Sequence, residues 1–373
     1  DTPRPSPRTN RTRRVPHQLS GDGAESLRPV LEYATRLESL SLGSNVRHFT
    51  RGVSQGHVFV EKLAKAMRNT GCGLRHLSLA NNALFPDSSM GVLRALTENN
   101  RSLTSLDLGS NGSAPNRLGP TGVGGIQGAL LSLKLTMLDL SYNDIGEDGA
   151  KGVSVALSQG SGLTSLSLAH NGIGSAGFEH LTNFVLTKHC GLHTLDLSAN
   201  DLYVRAMLNL AEVLEDLPAL RSLSLADNPG LCFEDPSPTH AVAIENCDGM
   251  MALCAHLCTP AVCKKLISVD LRNTNLVKKV WPQMVAFVAG ADAMTSFNGL
   301  SLESGSKWDL RPTLENFEML FAARQLDRLQ LSRGKLKEIK VLAQYESIDL
   351  SHCALRAYPA PLFHLWGLRV VDL

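Results

Sequence analysis

The sequence predicts an α/β fold of about twelve stacked repeats, with their strands in one curved parallel sheet and their helices forming an outer wall. Three observations carry that expectation. A nine-residue pattern recurs, as LRHLSLANN from Leu74, LTSLDLGSN from Leu103, LTMLDLSYN from Leu135, LTSLSLAHN from Leu163, LHTLDLSAN from Leu192 and LRSLSLADN from Leu220. Its first, leucine-like residue falls at 37, 74, 103, 135, 163, 192, 220, 266, 297, 326, 345 and 368, and a fixed period of this size signals stacked supersecondary units. Within each copy the fourth and sixth places are apolar and alternate with small polar residues, as Leu106 and Leu108 do with Ser105, Asp107 and Gly109, which is the period of a half-buried strand.

The first twenty residues, DTPRPSPRTNRTRRVPHQLS, carry Arg4, Arg8, Arg11, Arg13 and Arg14 against Asp1 alone. With almost no apolar content they are expected to be a disordered basic arm, suited to an acidic polymer surface. Residues 21–36 follow with a helical pattern behind the capping candidates Ser20 and Asp22, and are expected to cap the first repeat. The repeats then occupy 37–373. Helix-like stretches follow the strand cores, as HVFVEKLAKAMRN (57–69), EDGAKGVSVALSQ (147–159) and VRAMLNLAEVLEDL (204–217). A single repeat of this size cannot bury its apolar face, so neighbours must stack.

The ninth place is Asn in the first seven copies, namely Asn45, Asn82, Asn111, Asn143, Asn171, Asn200 and Asn228, where an amide can bond backbone groups of adjacent turns. The ladder and the regular spacing stop after residue 228. An irregular insert at 229–265 holds Cys232, Cys247, Cys254, Cys258 and Cys263 with His240 and His256. Thiolates and imidazoles are zinc ligands, but no CxxC pair is present and Cys254 and Cys258 stand four apart on an expected helix, so buried structural thiols are expected rather than a metal site. The chain ends on LRVVDL, the start of another strand core, and the repeats are expected to continue beyond residue 373.

The pattern LxxLxLxxN with a period near 28 resembles the leucine-rich-repeat superfamily, in particular its ribonuclease-inhibitor-like subfamily, over roughly 37–335. The last two intervals, 19 and 23, resemble the shorter leucine-rich repeats. The resemblance implies a protein-binding scaffold without catalysis. No phosphate loop, HExxH, GxSxG or kinase set appears; GPTGVGG (119–125) reads as a loop, and no cofactor or metal is expected.

Places three, five and seven of each copy face away from the core. Place five is nearly all Ser or Asp, as in Ser78, Asp107, Asp139, Ser167 and Asp196. Such a face lacks the Trp, Tyr and Arg anchors of tight protein interfaces and the basic surface that nucleic acid needs. Binding is therefore expected at loops and irregular regions. The candidates are Arg47, Phe49 and Arg51 in the first long loop, Arg117 in the third, and Arg272, Trp281, Trp308, Arg328 and Arg333 in the divergent C-terminal third.

The function expected is a non-enzymatic protein–protein interaction scaffold, with a place in a large cytoskeletal or ribonucleoprotein assembly as its finer form. An alternative is a GTPase-activating protein similar to the Ran-type activators, with Arg47 or Arg51 at the acting edge. The repeats resemble equally those of innate-immune receptors and of tropomodulin. No stretch reaches the roughly 18 apolar residues of a membrane span and no apolar run follows the basic arm as in a signal peptide, so a cytoplasmic protein is expected.

Overall fold

The computed structural model describes residues 26–33, 36–44, 73–86, 102–110, 115–124, 133–158, 162–184, 191–236 and 243–277. It further describes 62–63, 93, 94 and 96, scattered residues between 279 and 301, and strand residues at 308–309, 347–349 and 370–372. Two compact units are present, Asp1–Asn171 and Gly172–Leu373. The fold is of leucine-rich-repeat type, with parallel strands alternating with helices.

In the first unit a six-residue helix, α1 (Arg28–Tyr33), lies within the expected capping segment and buries Leu31. Strands β1 (Ser39–Ser41), β2 (His76–Ser78), β3 (Ser105–Asp107), β4 (Met137–Asp139) and β5 (Ser165–Ser167) pair in parallel, in chain order. Their register aligns Leu40, Leu77, Leu106, Leu138 and Leu166, the fourth-place leucines. Each is at most 5% exposed, and burying such a side chain contributes roughly 1.5–3 kcal/mol. Helix α2 (Gly146–Ser158) begins with Glu147 and Asp148 in its first turn, where carboxylates favour the helix dipole. The glycine-rich stretch expected to be a loop is instead helical over 119–124. Gly119 supplies the reason, since its φ of +58° turns the chain into the helix without steric strain.

In the second unit α3 (Gly174–Phe184), β6 (Thr194–Asp196), α4 (Val204–Val213) and β7 (Ser222–Ser224) continue the alternation. The helical stretch expected at 204–217 is α4 followed by a 3-10 turn at Leu214–Asp216. After the insert come α5 (Asp248–Leu257), α6 (Pro260–Cys263), β8 (Ser268–Asp270) and β9 (Ser296–Phe297). Pro260 opens α6, where its missing N–H is not needed. Strands β6, β7, β8 and β9 pair in parallel, and β10 (Leu300–Ser301) turns back antiparallel on β9. A further parallel sheet joins β11 (Trp308–Asp309), β12 (Ser347–Asp349) and β13 (Val370–Asp372).

The ninth repeat corrects the sequence-based register. Phe297 was expected to open it, yet Phe297 pairs with Val269 and so occupies the fourth place. The repeat therefore starts at Met294, 28 residues after Leu266, and both Met294 and Phe297 are buried. Phe297, Leu300 and Leu302 match the first, fourth and sixth places of the repeat equally well by pattern; burial and the 28-residue stacking distance decide the register.

The asparagine ladder is present with one substitution of position. Asn228 illustrates it: Oδ1 accepts from the backbone N–H groups of Asn200 and Leu202, and Nδ2 donates to the carbonyls of Leu197, Leu225 and Ala226. In the third repeat the ladder residue is Asn116, not the expected Asn111. Its Oδ1 accepts from the N–H groups of Asn82 and Leu84, and its Nδ2 donates to Leu79 and Leu108. A five-residue insertion after Ser110 carries the rung from 111 to 116. Because the Asn116 N–H is taken by Ser110 Oγ, Asn143 Oδ1 is left buried without a partner among the described residues. In the eighth repeat Thr274 stands at the rung and donates only to its own turn, at Leu271 O. Asn45 lies outside the described residues.

A second ladder runs along the other strand ends in the first unit. Thr104, Thr136 and Thr164 each donate Oγ1–H to the carbonyl of the preceding repeat's second residue, Arg75, Thr104 and Thr136. The strands are thus pinned at both ends by side chains that the repeat specifies.

Candidate functional site

The outward strand face is built from residues held by their neighbours. In the first unit Asp107 accepts from Gly109 N–H at 2.9 Å and from Ser78 Oγ–H at 2.7 Å. Asp139 accepts from Ser141, through its N–H at 2.8 Å and its hydroxyl, and Ser141 Oγ lies 2.9 Å from Ser167 Oγ. Each aspartate thus accepts from the N–H two residues on, a local turn bond that fixes the carboxylate at the end of the strand. Gly109 lies between the two carboxylates: a Cβ there would meet Asp139 Oδ1 at 3.0 Å and Asp107 Oδ1 at 3.2 Å.

The second unit repeats the arrangement. Asp196 accepts from Ser198 N–H and Oγ–H, and Ser198 Oγ approaches Ser224 Oγ at 2.6 Å. At the next such position Arg272 replaces serine. Its Nε and Nη2 form a fork on the Asp270 carboxylate at 2.9 and 2.6 Å, the strong bidentate form of this contact. That hydrogen bonding, against the opposing effect of burial, raises the guanidinium pKa above its usual value. Of the expected partner-binding residues, Arg272 is therefore a preset ion pair on the strand face.

Arg117 leaves the third loop beside its rung residue and faces Asp144, Nε to Oδ2 3.7 Å, both side chains more than half exposed. Such a pair adds little stability. Trp308 lies on β11, in register with Ile348. Arg47, Phe49, Arg51, Trp281, Arg328 and Arg333, and the arm residues Arg4, Arg8, Arg11, Arg13 and Arg14, lie outside the described residues.

One feature escapes a reading of places three, five and seven. The eighth place, just before the rung, adopts the left-handed backbone region in repeat after repeat: φ is +58° at Ser44, +55° at Asn81, +58° at Tyr142, +55° at His170, +50° at Ala199, +57° at Asp227 and +55° at Asn273. Two bulky residues occupy it in consecutive repeats, and they stack. The rings of Tyr142 and His170 lie 3.8 Å apart between centroids with 11° between planes. Tyr142 is 39% exposed, as is Met137 on β4. The signal was present in the sequence as SYN followed by AHN, large residues where other copies carry small or short polar ones.

Of the insert's cysteines, Cys232, Cys247, Cys254 and Cys263 are buried, as expected for structural thiols, and Cys258 departs from that expectation. Cys254 is buried on α5 and Cys258, one turn on, is exposed. Burial pushes the Cys254 thiol up to about 12, with Cys258 and Cys232 adding to the rise, and burial likewise pushes Cys232 up to about 11. No group of three or more metal-ligating side chains occurs among the described residues.

Protonated thiols of this kind link stability to alkaline pH. In the unfolded chain they ionise near 9, whereas the fold retains the proton, so their contribution is full below pH 9 and is lost as pH rises toward 11–12. The denaturation midpoint should thus fall between pH 8.5 and 10.5, and the fall should be smaller in Cys254→Ala. In native protein at pH 8, thiol labelling followed by peptide mapping should modify Cys258 ahead of Cys232, Cys247 and Cys254.

Parts of the chain are similar in sequence to known leucine-rich-repeat proteins. A family model described as leucine-rich repeat matches residues 99–112, 132–154 and 163–181. NACHT, LRR and PYD domains-containing protein 5 of Bos taurus is 31% identical over 219 residues, covering 58% of this chain and 18% of that protein. Ribonuclease inhibitor of Sus scrofa is 28% identical over 213 residues, covering 57% of this chain and 44% of the inhibitor. The matched stretch thus spans less than half the length of either relative. Among solved structures, the leucine-rich repeat-containing protein LegL7 from Legionella pneumophila aligns with a TM-score of 0.46 at 14% identity, covering 95% of this chain and 88% of that one. Among the described residues, no helix is long and apolar enough to cross a membrane.

Proposed function

We propose that this leucine-rich-repeat protein, distantly similar to ribonuclease inhibitor and to the repeat regions of NACHT, LRR and PYD domain proteins, is a non-enzymatic scaffold that binds partner proteins through the residues that break its repeat. Domains of this type typically serve as protein-binding scaffolds, and one relative is by name an inhibitor of another protein, ribonuclease. The observation that carries the reading is the contrast along each strand. The repeated Ser and Asp residues bond to one another and to the local backbone, whereas Tyr142, His170, Arg117 and Arg272 depart from the pattern and hold exposed or half-exposed positions. Aromatic and arginine side chains of that kind are the usual anchors of protein interfaces.

A place in a larger assembly is the finer part of this reading, with the basic residues of 1–20 as an accessory arm on an acidic surface. Affinity capture from the source cell tests both. The intact chain and one lacking residues 1–20 are used as bait at two salt concentrations, and bound proteins are identified by mass spectrometry. The scaffold reading expects a discrete partner set that survives higher salt and does not need the arm. Loss of all partners on removal of the arm would overturn it and leave the repeats as a spacer; an arm whose removal changes nothing at either salt would have no anchoring role.

A further inference from the structure

We propose that the second places of the repeats in the second unit, centred on Arg221 and Ile267, form a docking edge for an acidic polypeptide segment in which a carboxylate lies beside an aliphatic residue. The proposal rests on the scaffold reading and names the chemistry of one partner contact.

The row is continuous. Arg221 N–H donates to the His193 carbonyl at 2.8 Å, Ile267 N–H to that of Arg221 at 2.7 Å and Thr295 N–H to that of Ile267 at 2.8 Å, so neighbouring second places stand one strand spacing apart. In the first unit this place carries the threonine ladder of Thr104, Thr136 and Thr164. His193, Arg221 and Ile267 break that pattern. Ile267 is 40% exposed, an aliphatic side chain where threonine serves the fold.

Arg221 supplies the recognition group. Its Nη1 donates to the carbonyls of Pro218 at 3.3 Å and Leu220 at 3.1 Å, which ties the half-buried guanidinium to the main chain. Among the described residues its Nε and Nη2 have no partner. That is the edge with which Arg272 grips Asp270, through Nε at 2.9 Å and Nη2 at 2.6 Å. The fork filled from within at Arg272 is open at Arg221, and a carboxylate fits it with two parallel hydrogen bonds.

Charge favours the same occupant. Lys264 and Lys265 precede Ile267, and no acidic residue lies between Asp248 and Asp270. Among the described residues no carboxylate pairs with Arg221, Lys264 or Lys265; Glu215 is held by His256, and Asp216, five residues before Arg221, does not pair with it. Asp196 stands three residues after His193, roughly 10 Å away at strand rise and about one Debye length from the row. A nucleic acid, with a phosphate at every nucleotide, is disfavoured beside that carboxylate, and the row offers bases no ring but the His193 imidazole. A polypeptide can set its acid against Arg221 and its aliphatic side chain against Ile267.

The test uses the full chain and labelled twelve-residue probes followed by fluorescence anisotropy: peptides of repeated Gly-Glu-Leu-Glu, Gly-Gln-Leu-Gln and Gly-Glu-Gly-Glu, and a single-stranded oligouridine. The native protein should bind the first peptide at least tenfold more tightly than the second and at least threefold more tightly than the third. Arg221→Lys keeps the charge but cannot form the fork, and should weaken the first peptide at least fivefold. Ile267→Thr, which installs the residue of the first unit's ladder, should weaken it at least threefold. Thermal midpoints separate lost binding from lost folding, and Lys264→Gln with Lys265→Gln, which should weaken both acidic peptides, keeps the test open if Arg221→Lys does not fold.

No binding of the first peptide, equal binding of the second, or tighter binding of the oligouridine would each overturn the proposal. Undiminished binding by Arg221→Lys or by Ile267→Thr would also overturn it and point to the basic residues of 1–20 as the acceptor. Repeating the affinity capture with Arg221→Lys and Ile267→Thr combined separates the two readings: an unchanged partner set ends this proposal and leaves the scaffold standing, whereas an empty capture from the native chain ends the scaffold reading and this proposal with it.

Discussion

Replacing Asn228 by alanine is expected to lower the stability of the protein by about 4 kcal/mol, since each buried group left unsatisfied costs about 1–3 kcal/mol. Asn228 is fully buried. The truncation removes the acceptor of the Asn200 and Leu202 N–H groups and the donor to the carbonyls of Leu197, Leu225 and Ala226 at one stroke. These partners lie in two successive repeats, so no local rearrangement of one turn can satisfy them. The space left by the removed amide holds little beyond a water molecule, which can restore only part of the set. Urea unfolding of native protein and Asn228→Ala measures the effect, and a loss below about 1 kcal/mol would mean that the rung is solvated rather than structural.

Gly249→Ala is expected to destabilise by about 3 kcal/mol through overpacking. The sign is informative, because helix propensity alone predicts the opposite: alanine is favoured over glycine by about 1 kcal/mol in a helix interior. Gly249 lies in the first turn of α5, pressed against α4. A Cβ at that position would stand 2.4 Å from the Val204 carbonyl oxygen and 2.8 Å from Met207 Cβ. The nearest obstacle is backbone, which cannot rotate aside, so the two helices must separate. That separation would loosen the apolar surface they share, in which Met207, Leu210, Met250 and Leu253 are all fully buried. Thermal unfolding of Gly249→Ala checks the sign; a raised midpoint would show that α4 and α5 can part freely.

Most of the scaffold was legible in the sequence because its physics is local and repeated. The fourth-place leucines align in register as expected and the sixth-place Leu79, Leu108 and Leu140 are buried, since strand alternation and a 28-residue period leave few ways to bury them. The rung in the third repeat was misread for a physical reason. Asn111 and Asn116 are both available in GSNGSAPN, and only the carbonyls of Leu79 and Leu108, which Asn116 reaches, distinguish them. Likewise Phe297 and Leu300 stand three apart, as the first and fourth places of a repeat do, and their places are decided by what Phe297 meets across β8. Pairing partners from distant repeats settle such ambiguities; pattern alone does not.

The candidate site was less legible. Arg117 and Arg272 were singled out as departures from the repeat, but the fork of Arg272 on Asp270 depends on strand-end geometry. Tyr142 and His170 were passed over because side-chain direction at the eighth place follows from a left-handed backbone, which alternation rules do not describe. The contrast between bulky and small residues at one place was the readable trace.

Quantitative affinity capture with three baits tests most directly whether function resides where the repeat fails. The baits are the native chain, the rim variant Tyr142→Asn with His170→Asn, and the strand-face variant Ser165→Ala with Ser222→Ala. The scaffold account predicts that the rim variant loses partners at least fivefold while the strand-face variant retains them. Retention by the rim variant together with loss by the strand-face variant would contradict it and assign recognition to the repeated residues themselves.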